Sequence, residues 1–305
     1  MLQQPRTHVV GVAVIWILMS AGLVVVNKII LTRTDFNFVI SLALSHMVCA
    51  SGMSRMIFAC FPLCENQKIY AVIGPLGLAA RFGSIGFLFA VSLVCSNAAL
   101  LRLNVSFVQM MKALNPVIIY VTSICLGLDK PNKYVASSIA LVASGVLVAV
   151  HGSMDLDSIG MVMQLISIIS DALRITVVQS TLHSSEFSVD SLNLMHMIAP
   201  ATSIFLWFAA SIIEMPHMEL SHVTKPAPFI CASAVSAFAL NLASYAFIKW
   251  SSALTLSITG IIKDILLVIA ATTFFGDRMT PSQCVGYSIA IFGILAYNMS
   301  LDRLR

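Results

Sequence analysis

The sequence predicts an all-α polytopic membrane protein with ten transmembrane helices in a 5+5 inverted repeat. Of its 305 residues, 59% are hydrophobic and only 10% are charged, and the mean hydropathy is +0.95. Apolar runs of about 18 or more residues with few charges are typical of membrane-spanning helices. Such runs fill almost the whole chain, which leaves no room for a soluble domain.

Each predicted span is an apolar run bounded by a short polar connection, such as Asp129–Lys133 after the fourth span. The first span is too long for the core of a signal peptide, so we expect no cleaved leader. No stretch rich in Arg and Ser precedes it, so we expect no transit peptide either. The ten spans cover residues 9–31, 37–61, 79–101, 105–127, 134–151, 158–180, 191–214, 227–249, 252–275 and 281–301.

The midpoint of the chain divides these spans into two sets of five. The connection His151–Asp155 follows the fifth span, and an odd number of spans per half inserts the second half upside down. Asn97–Lys112 and Phe247–Lys263 both have the pattern of a helix end, a tight turn and a new helix. We therefore expect two repeats in one membrane domain, residues 1–152 and 153–305, with the binding site at their centre.

The basic residues in the connections and towards the ends of the spans predict the orientation. Loops facing the cytosol carry an excess of Lys and Arg. The side that holds both termini has nine: Arg6, Arg55, Lys68, Arg81, Lys130, Lys133, Lys249, Arg303 and Arg305. The other side has four: Arg33, Arg102, Lys225 and Arg278. The count predicts that both termini are cytosolic.

Ionisable residues inside the spans are the strongest functional signal. A charged side chain at the centre of a bilayer costs about 2.5–3.5 kcal/mol, so such residues are rarely retained without a role. Apart from histidines, four cations and two anions lie well inside the spans: Lys28, Lys112, Lys263, Arg174, Asp171 and Asp264. Their formal sum is positive, and a phosphate group on a substrate would balance it.

Helix periodicity places hydroxyl or amide groups on the same stripe as each of the two central lysines. Residues four apart lie on one face of a helix. Thr255 and Thr259 share that face with Lys263 in the ninth span. In the fourth span, Ser106 and Gln109 precede Lys112 at intervals of three. These six residues are the predicted phosphate-binding set, and Pro116, one turn after Lys112, is expected to kink the helix.

The other polar residues of the spans have two interpretations each. Lys112 and Lys263 would be structural if Asp171 or Asp264 paired with them, and Asp171 could instead neutralise Arg174. We expect Lys28, Asp171, Arg174 and Asp264 to support the site, although Lys28 is close enough to a span end to extend to the surface. The predicted contacts of base or sugar are Asn241, Tyr245 and His46, with helix packing or a buried core histidine as the alternatives.

Other functional classes lack support in the residues. There is no phosphate-cradling P-loop, no nucleophile elbow and no metal cluster inside a span, so the sequence predicts no enzyme, cofactor or metal. The seven cysteines form no CxxC motif and are expected to be packing residues. The sequence has no cluster of Lys and Arg of the kind that binds nucleic acid. The expected partners are membrane lipid and a phosphorylated small molecule, and homodimer formation is left open.

Two segments resemble the nucleotide-sugar and triose-phosphate translocator family of the drug/metabolite transporter superfamily. Asn104–Pro116 is similar to its fourth-helix motif, and Ser252–Asp264 is similar to its ninth-helix motif. The resemblance extends to Asn27–Leu31 and His46, and to Arg174 with Gln179.

This resemblance implies antiport of phosphorylated solutes, with Lys263 at a position where relatives contact substrate phosphate. Plastid members carry Lys-Arg where this chain has Lys263 and Asp264. An anion in place of the second cation favours the nucleotide-sugar branch. We therefore predict exchange of a nucleotide sugar for a nucleoside monophosphate across a Golgi or ER membrane. A sugar-phosphate or phosphoenolpyruvate exchanger and a non-transporting scaffold or trafficking factor are the alternatives.

Overall fold

A computed structural model describes residues 6–61, 68–103, 105–151, 157–183, 189–260, 263 and 280–304. The regular secondary structure of this part of the chain is helical, with one 3-10 turn at Met215–His217. The helices are α1 (Arg6–Arg33), α2 (Val39–Cys60), α3 (Lys68–Leu100), α4 (Val105–Lys112), α5 (Asn115–Cys125), α6 (Lys133–His151), α7 (Ser158–Leu182), α8 (Ser191–Ile213), α9 (Leu220–Thr224), α10 (Ala227–Trp250), α11 (253–260, with residue 263 also helical) and α12 (Pro281–Leu304).

The predicted class, an all-α polytopic membrane protein, is confirmed. Among the described residues, six helices are long and apolar enough to cross a membrane, namely α1, α2, α3, α7, α8 and α10. Shorter apolar stretches occur in α5, α6 and α12. The count of ten spans and the inverted repeat remain predictions, and most of the predicted ninth span, 252–275, lies outside the described residues.

The prediction of one continuous fourth helix over 105–127 is wrong. The helix stops at Lys112 and restarts at Asn115. The ring of Pro116 has no N–H for the carbonyl of residue 112 and clashes with that carbonyl, which ends the first segment. A tight turn joins the two segments, with the N–H of Leu114 bonded to the carbonyl of Met111 at 3.0 Å.

Glycines with positive φ mark two other interruptions. Gly127 has a φ of 69° just after α5. Its N–H bonds the carbonyl of Ile124 at 3.0 Å, and the N–H of Leu128 bonds the carbonyl of Ser123 at 2.9 Å. This pair of bonds is a Schellman motif, which ends α5. Gly74, with φ 70°, produces a kink inside α3.

The chain divides into two compact units, each assembled from both halves of the sequence. Unit 1 comprises Met1–Val94 and Val177–Ser252, and unit 2 comprises Cys95–Thr176 and Ala253–Arg305. The division differs from the predicted repeats, 1–152 and 153–305. Repeats describe duplication and insertion topology, which this division does not test.

Unit 1 is held by apolar packing around α2 and by one long-range cap. Ile40 and Met47 pack with Leu206 of α8. The carboxylate of Glu214, just after α8, accepts hydrogen bonds from the backbone N–H groups of Ile40 and Ser41, both at 2.7 Å. It therefore satisfies free N–H groups at the start of α2 from a distant part of the sequence.

Unit 2 contains a close helix contact between α6 and α12. A Cβ added at Gly145 would lie 2.6 Å from the carbonyl oxygen of Gly286, and one added at Gly293 would lie 2.8 Å from the backbone nitrogen of Val142. Larger side chains at these two glycines would push the backbones apart. Small residues permit such close approach in membrane helices.

Candidate functional site

The position of Lys112 is set by apolar packing of α4 on α7. Phe107, Val108 and Met111 form a buried cluster with Ile168. Lys112 is the last residue of α4 and is half-buried. The carbonyls at a helix C-terminus favour a cation, so the break stabilises a lysine at this point. Ser106 and Gln109 lie on the same helix, and their side chains are outside the described structure.

The first residue after the break, Asn115, contacts an ion pair on α7. The Nε and Nη2 atoms of Arg174 donate to Oδ1 of Asp171 at 3.1 and 2.7 Å. The Nδ2 atom of Asn115 donates to Oδ2 of the same carboxylate at 3.4 Å. Asp171 and Arg174 thus pair at i, i+3, as the alternative interpretation expected. Farther along the same two helices, the hydroxyls of Thr122 and Thr176 lie 2.9 Å apart.

Lys263 belongs to the same unit as Lys112 and is also helical and half-buried. Its predicted neighbours Thr255 and Thr259 are half-buried on α11. The hydroxyl of Thr259 donates to the carbonyl of Thr255 at 2.8 Å. A hydroxyl has one proton, so Thr259 would have to turn it away from its own helix to donate to a phosphate oxygen. Asp264 lies outside the described residues.

The two central lysines are not isolated charges. Each takes part in at least one interaction within the protein. The positive sum counted from the sequence therefore does not measure free cations, and any role for these side chains has to be argued from their placement.

Unit 1 holds the remaining predicted residues in paired or packed positions. Nε2 of His46 lies 2.9 Å from the hydroxyl of Ser233, which donates to Oδ1 of Asn27 at 2.5 Å. Since that hydroxyl gives its proton to Asn27, it accepts from His46, which fixes the proton on Nε2. This is the arrangement expected of a buried core histidine. Lys28 follows Asn27 in α1, and its side chain is outside the described structure.

Asn241 and Tyr245, the predicted base or sugar contacts, lie one turn apart on α10. Nδ2 of Asn241 donates to the carbonyl of Ala237 in its own helix at 2.9 Å. Tyr245 is only 2% exposed. Both positions fit the alternative interpretation, helix packing, and Asn241 is the more accessible of the two.

Sequence reasoning missed Asn115 as a site residue, although it lies in the same motif as Lys112. Its partner Asp171 is 56 positions away, so periodicity within one helix carries no signal for the contact. The available signal was an amide directly before a helix-breaking proline, three residues after an intramembrane lysine.

Comparisons with known proteins agree over nearly the whole chain. A model of the triose-phosphate transporter family matches residues 7–298. The probable sugar phosphate/phosphate translocator At3g17430 of Arabidopsis thaliana is 30% identical over 93% of this chain and 76% of its own length. Its relative At4g32390 is 30% identical over 93% of this chain and 81% of its own length, and At5g11230 is 31% identical over 93% and 81%.

One solved structure is also similar. A chain described only as the crystal structure of a protein covers 97% of this chain and 98% of its own, with a TM-score of 0.67 and 10% sequence identity. At that identity the likeness concerns the fold alone.

Proposed function

Because this chain belongs to the triose-phosphate transporter family, we propose that it exchanges phosphorylated metabolites across a membrane by alternating access. The family match over residues 7–298 carries the proposal. It also confirms the family and superfamily predicted from the lysine motifs. The family is one of transporters, and the proposed exchange involves no covalent chemistry.

Lys112 and Lys263 are the proposed phosphate-binding groups. Two observations support them: both are half-buried in apolar helices, and both belong to unit 2. A lysine on a flexible stem suits a phosphate as a point charge. Ser106, Gln109, Thr255 and Thr259 are proposed as neutral neighbours of the bound phosphate. The substrate would offset the repulsion of the cations as the site closes, so the empty carrier would reorient slowly.

The names of the relatives favour a sugar phosphate exchanged for inorganic phosphate. At3g17430, At4g32390 and At5g11230 are each called probable sugar phosphate/phosphate translocators. Exchange of a nucleotide sugar for a nucleoside monophosphate is the second candidate, and the anion Asp264 beside Lys263 favours it. A Golgi or ER membrane is proposed with that candidate, and the distribution of basic residues supports cytosolic termini.

The test is uptake into liposomes that contain the purified protein. One set is preloaded with inorganic phosphate and another with nucleoside monophosphates, and each is offered sugar phosphates and nucleotide sugars. We expect Lys263→Ala to lower exchange on the preferred substrate about 10- to 100-fold, because a hydrogen bond between charged groups contributes about 1.5–3 kcal/mol. Lys112→Ala should act similarly.

The matched control is Lys225→Ala, which removes an exposed lysine paired with Asp35 at 3.5 Å. Exposed pairs contribute little, so exchange should be unchanged. Exchange by Lys263→Ala at the wild-type rate would remove the site assignment. Absence of exchange by the wild type, together with a normal cellular phenotype for Lys112→Ala and Lys263→Ala, would favour the scaffold alternative.

A further inference from the structure

The amide of Asn115 is held in one orientation. Its Nδ2 donates to Oδ2 of Asp171, while Oδ1 of that carboxylate is bound by Arg174. Turning the amide over would place its oxygen against a carboxylate oxygen, and two acceptors repel each other. The ion pair therefore fixes which end of the amide faces Asp171.

The other end of this amide is an acceptor without a donor. Oδ1 of Asn115 is buried and has no hydrogen-bond partner. Leaving a buried acceptor unsatisfied costs about 1–3 kcal/mol. Most buried polar atoms in proteins are paired, so an exception at a fixed, oriented group requires a reason. A ligand that brings its own donor would supply the missing bond.

The location of this acceptor relates it to the proposed phosphate site. Asn115 begins α5 and Lys112 ends α4, so the two residues flank the two-residue break. A lysine suits the phosphate oxygens, which accept hydrogen bonds. An amide oxygen cannot bind the deprotonated oxygens of a phosphate, but it can accept a hydrogen bond from a hydroxyl group of the sugar. The break thus places complements for both halves of a phosphorylated sugar three residues apart along the chain.

We infer that Asn115 is a specificity-determining residue, whose Oδ1 accepts a hydrogen bond from a hydroxyl group of the transported phosphorylated sugar. This inference rests on the proposed function and names the substrate feature that the same site recognises. Asp171 and Arg174 are positioning residues for the amide. Substrates with a phosphate but no hydroxyl should gain nothing from Asn115.

The experiment measures phosphate–phosphate exchange in liposomes, with competing phosphorylated compounds added outside. Glucose 6-phosphate and dihydroxyacetone phosphate carry hydroxyl groups, and phosphoenolpyruvate carries none. For the wild type, we expect the hydroxylated compounds to compete more strongly. Asn115→Leu should reduce that preference about tenfold, which is the loss of one hydrogen bond to the substrate, while phosphate exchange continues.

Two further variants make the result interpretable. Ser123→Ala removes another buried hydroxyl without a partner, two turns farther along α5, and should leave the preference unchanged. If Asn115→Leu does not fold, Asn115→Ser takes its place. It keeps a donor for Asp171 but withdraws the acceptor from the site, so the preference should fall as well.

The possible failures separate the inference from the proposed function. An unchanged preference in a folded Asn115 variant would overturn the inference, and Oδ1 would then bind only water. Loss of phosphate exchange in that variant, with the fold intact, would also overturn it, since phosphate alone should not need this acceptor. A wild type that exchanges no phosphorylated compound would overturn the proposed function itself.

Discussion

The two units differ in how they treat polar groups in their interiors. In the described part of unit 1, the buried side chains of His46 and Ser233 and the half-buried side chain of Asn27 bond to one another across three helices. In unit 2, buried side-chain atoms without a partner include Oδ1 of Asn115, Oγ of Ser123 and both amide atoms of Gln164. No such atom occurs in the residues of unit 1 for which the structure gives side chains.

The polar groups described in the interior of unit 1 are paired, whereas the interior of unit 2 retains unsatisfied ones. Paired buried networks make one arrangement of helices specific. Unpaired buried groups reduce stability, and each one in a native protein requires an explanation such as a function or a bound water. Unit 2 also contains Lys112, Lys263 and the Asp171–Arg174 pair. Under the proposed function, the interior of unit 1 is the scaffold and that of unit 2 holds the binding groups.

The largest effect is expected from breaking the ion pair in unit 2. Arg174→Met leaves the Asp171 carboxylate in an apolar helix interface without its cation, and the side chain of Arg174 is only 12% exposed. Removing one partner of a fully buried pair costs about 3–5 kcal/mol, and the 25% exposure of Asp171 places this pair near or below the lower end of that range. Thermal unfolding in detergent should show a large fall in the midpoint, and exchange should fall with it.

A double variant separates the lost pair from the stranded charge. Asp171→Asn with Arg174→Met replaces the uncompensated carboxylate by a neutral amide, so a large part of the stability should return. The preference for hydroxylated substrates should not return, because the amide of Asn115 would have lost its oriented acceptor. If the double variant were as unstable as Arg174→Met, the uncompensated charge of Asp171 would not be the cause of the lost stability.

The sequence predicts those features that depend on neighbours within one helix. The apolar runs predict the helices, the spacing of Asp171 and Arg174 permits their pair, and Pro116 predicts a distortion near Lys112. The break is sharper than the expected kink because the carbonyl of residue 112 has no N–H available at position 116. Local geometry alone is sufficient in each of these cases.

The hydrogen bonds that the structure shows between distant helices were not predicted. His46 meets Ser233 at a separation of 187 positions, and the carboxylate of Glu214 meets Ile40 at a separation of 174. Most faces of these helices are apolar, so periodicity does not identify the neighbour of a given face. The same limit hid the link between Asn115 and Asp171, and with it the division into two units.

A smaller effect is expected from opening the paired network of unit 1. Ser233→Ala leaves Nε2 of His46 without an acceptor and Oδ1 of Asn27 without a donor, which costs about 1–3 kcal/mol. The midpoint of thermal unfolding should fall. The substrate preference should not change, because this network lies in unit 1.

The control for this change is Ser236→Ala on the same helix. Its exposed hydroxyl donates only to the carbonyl of Ala232 at 2.9 Å, so the midpoint should move little. If Ser233→Ala altered the preference between glucose 6-phosphate and phosphoenolpyruvate, unit 1 would not be a scaffold alone, and the comparison would fail.

The smallest effect has the opposite sign and comes from Gln164 in unit 2. Its side chain is fully buried, and neither amide atom has a partner. Gln164→Leu keeps a similar volume and removes both unsatisfied atoms, so it should raise stability by about 1 kcal/mol after some loss from imperfect packing.

Thr176→Val is the matched control, since Thr176 is equally buried on α7 but bonds both Ala172 and Thr122. That variant should lower the midpoint. A fall in both variants would mean that Gln164 is satisfied in the membrane, and the interior of unit 2 would then resemble that of unit 1.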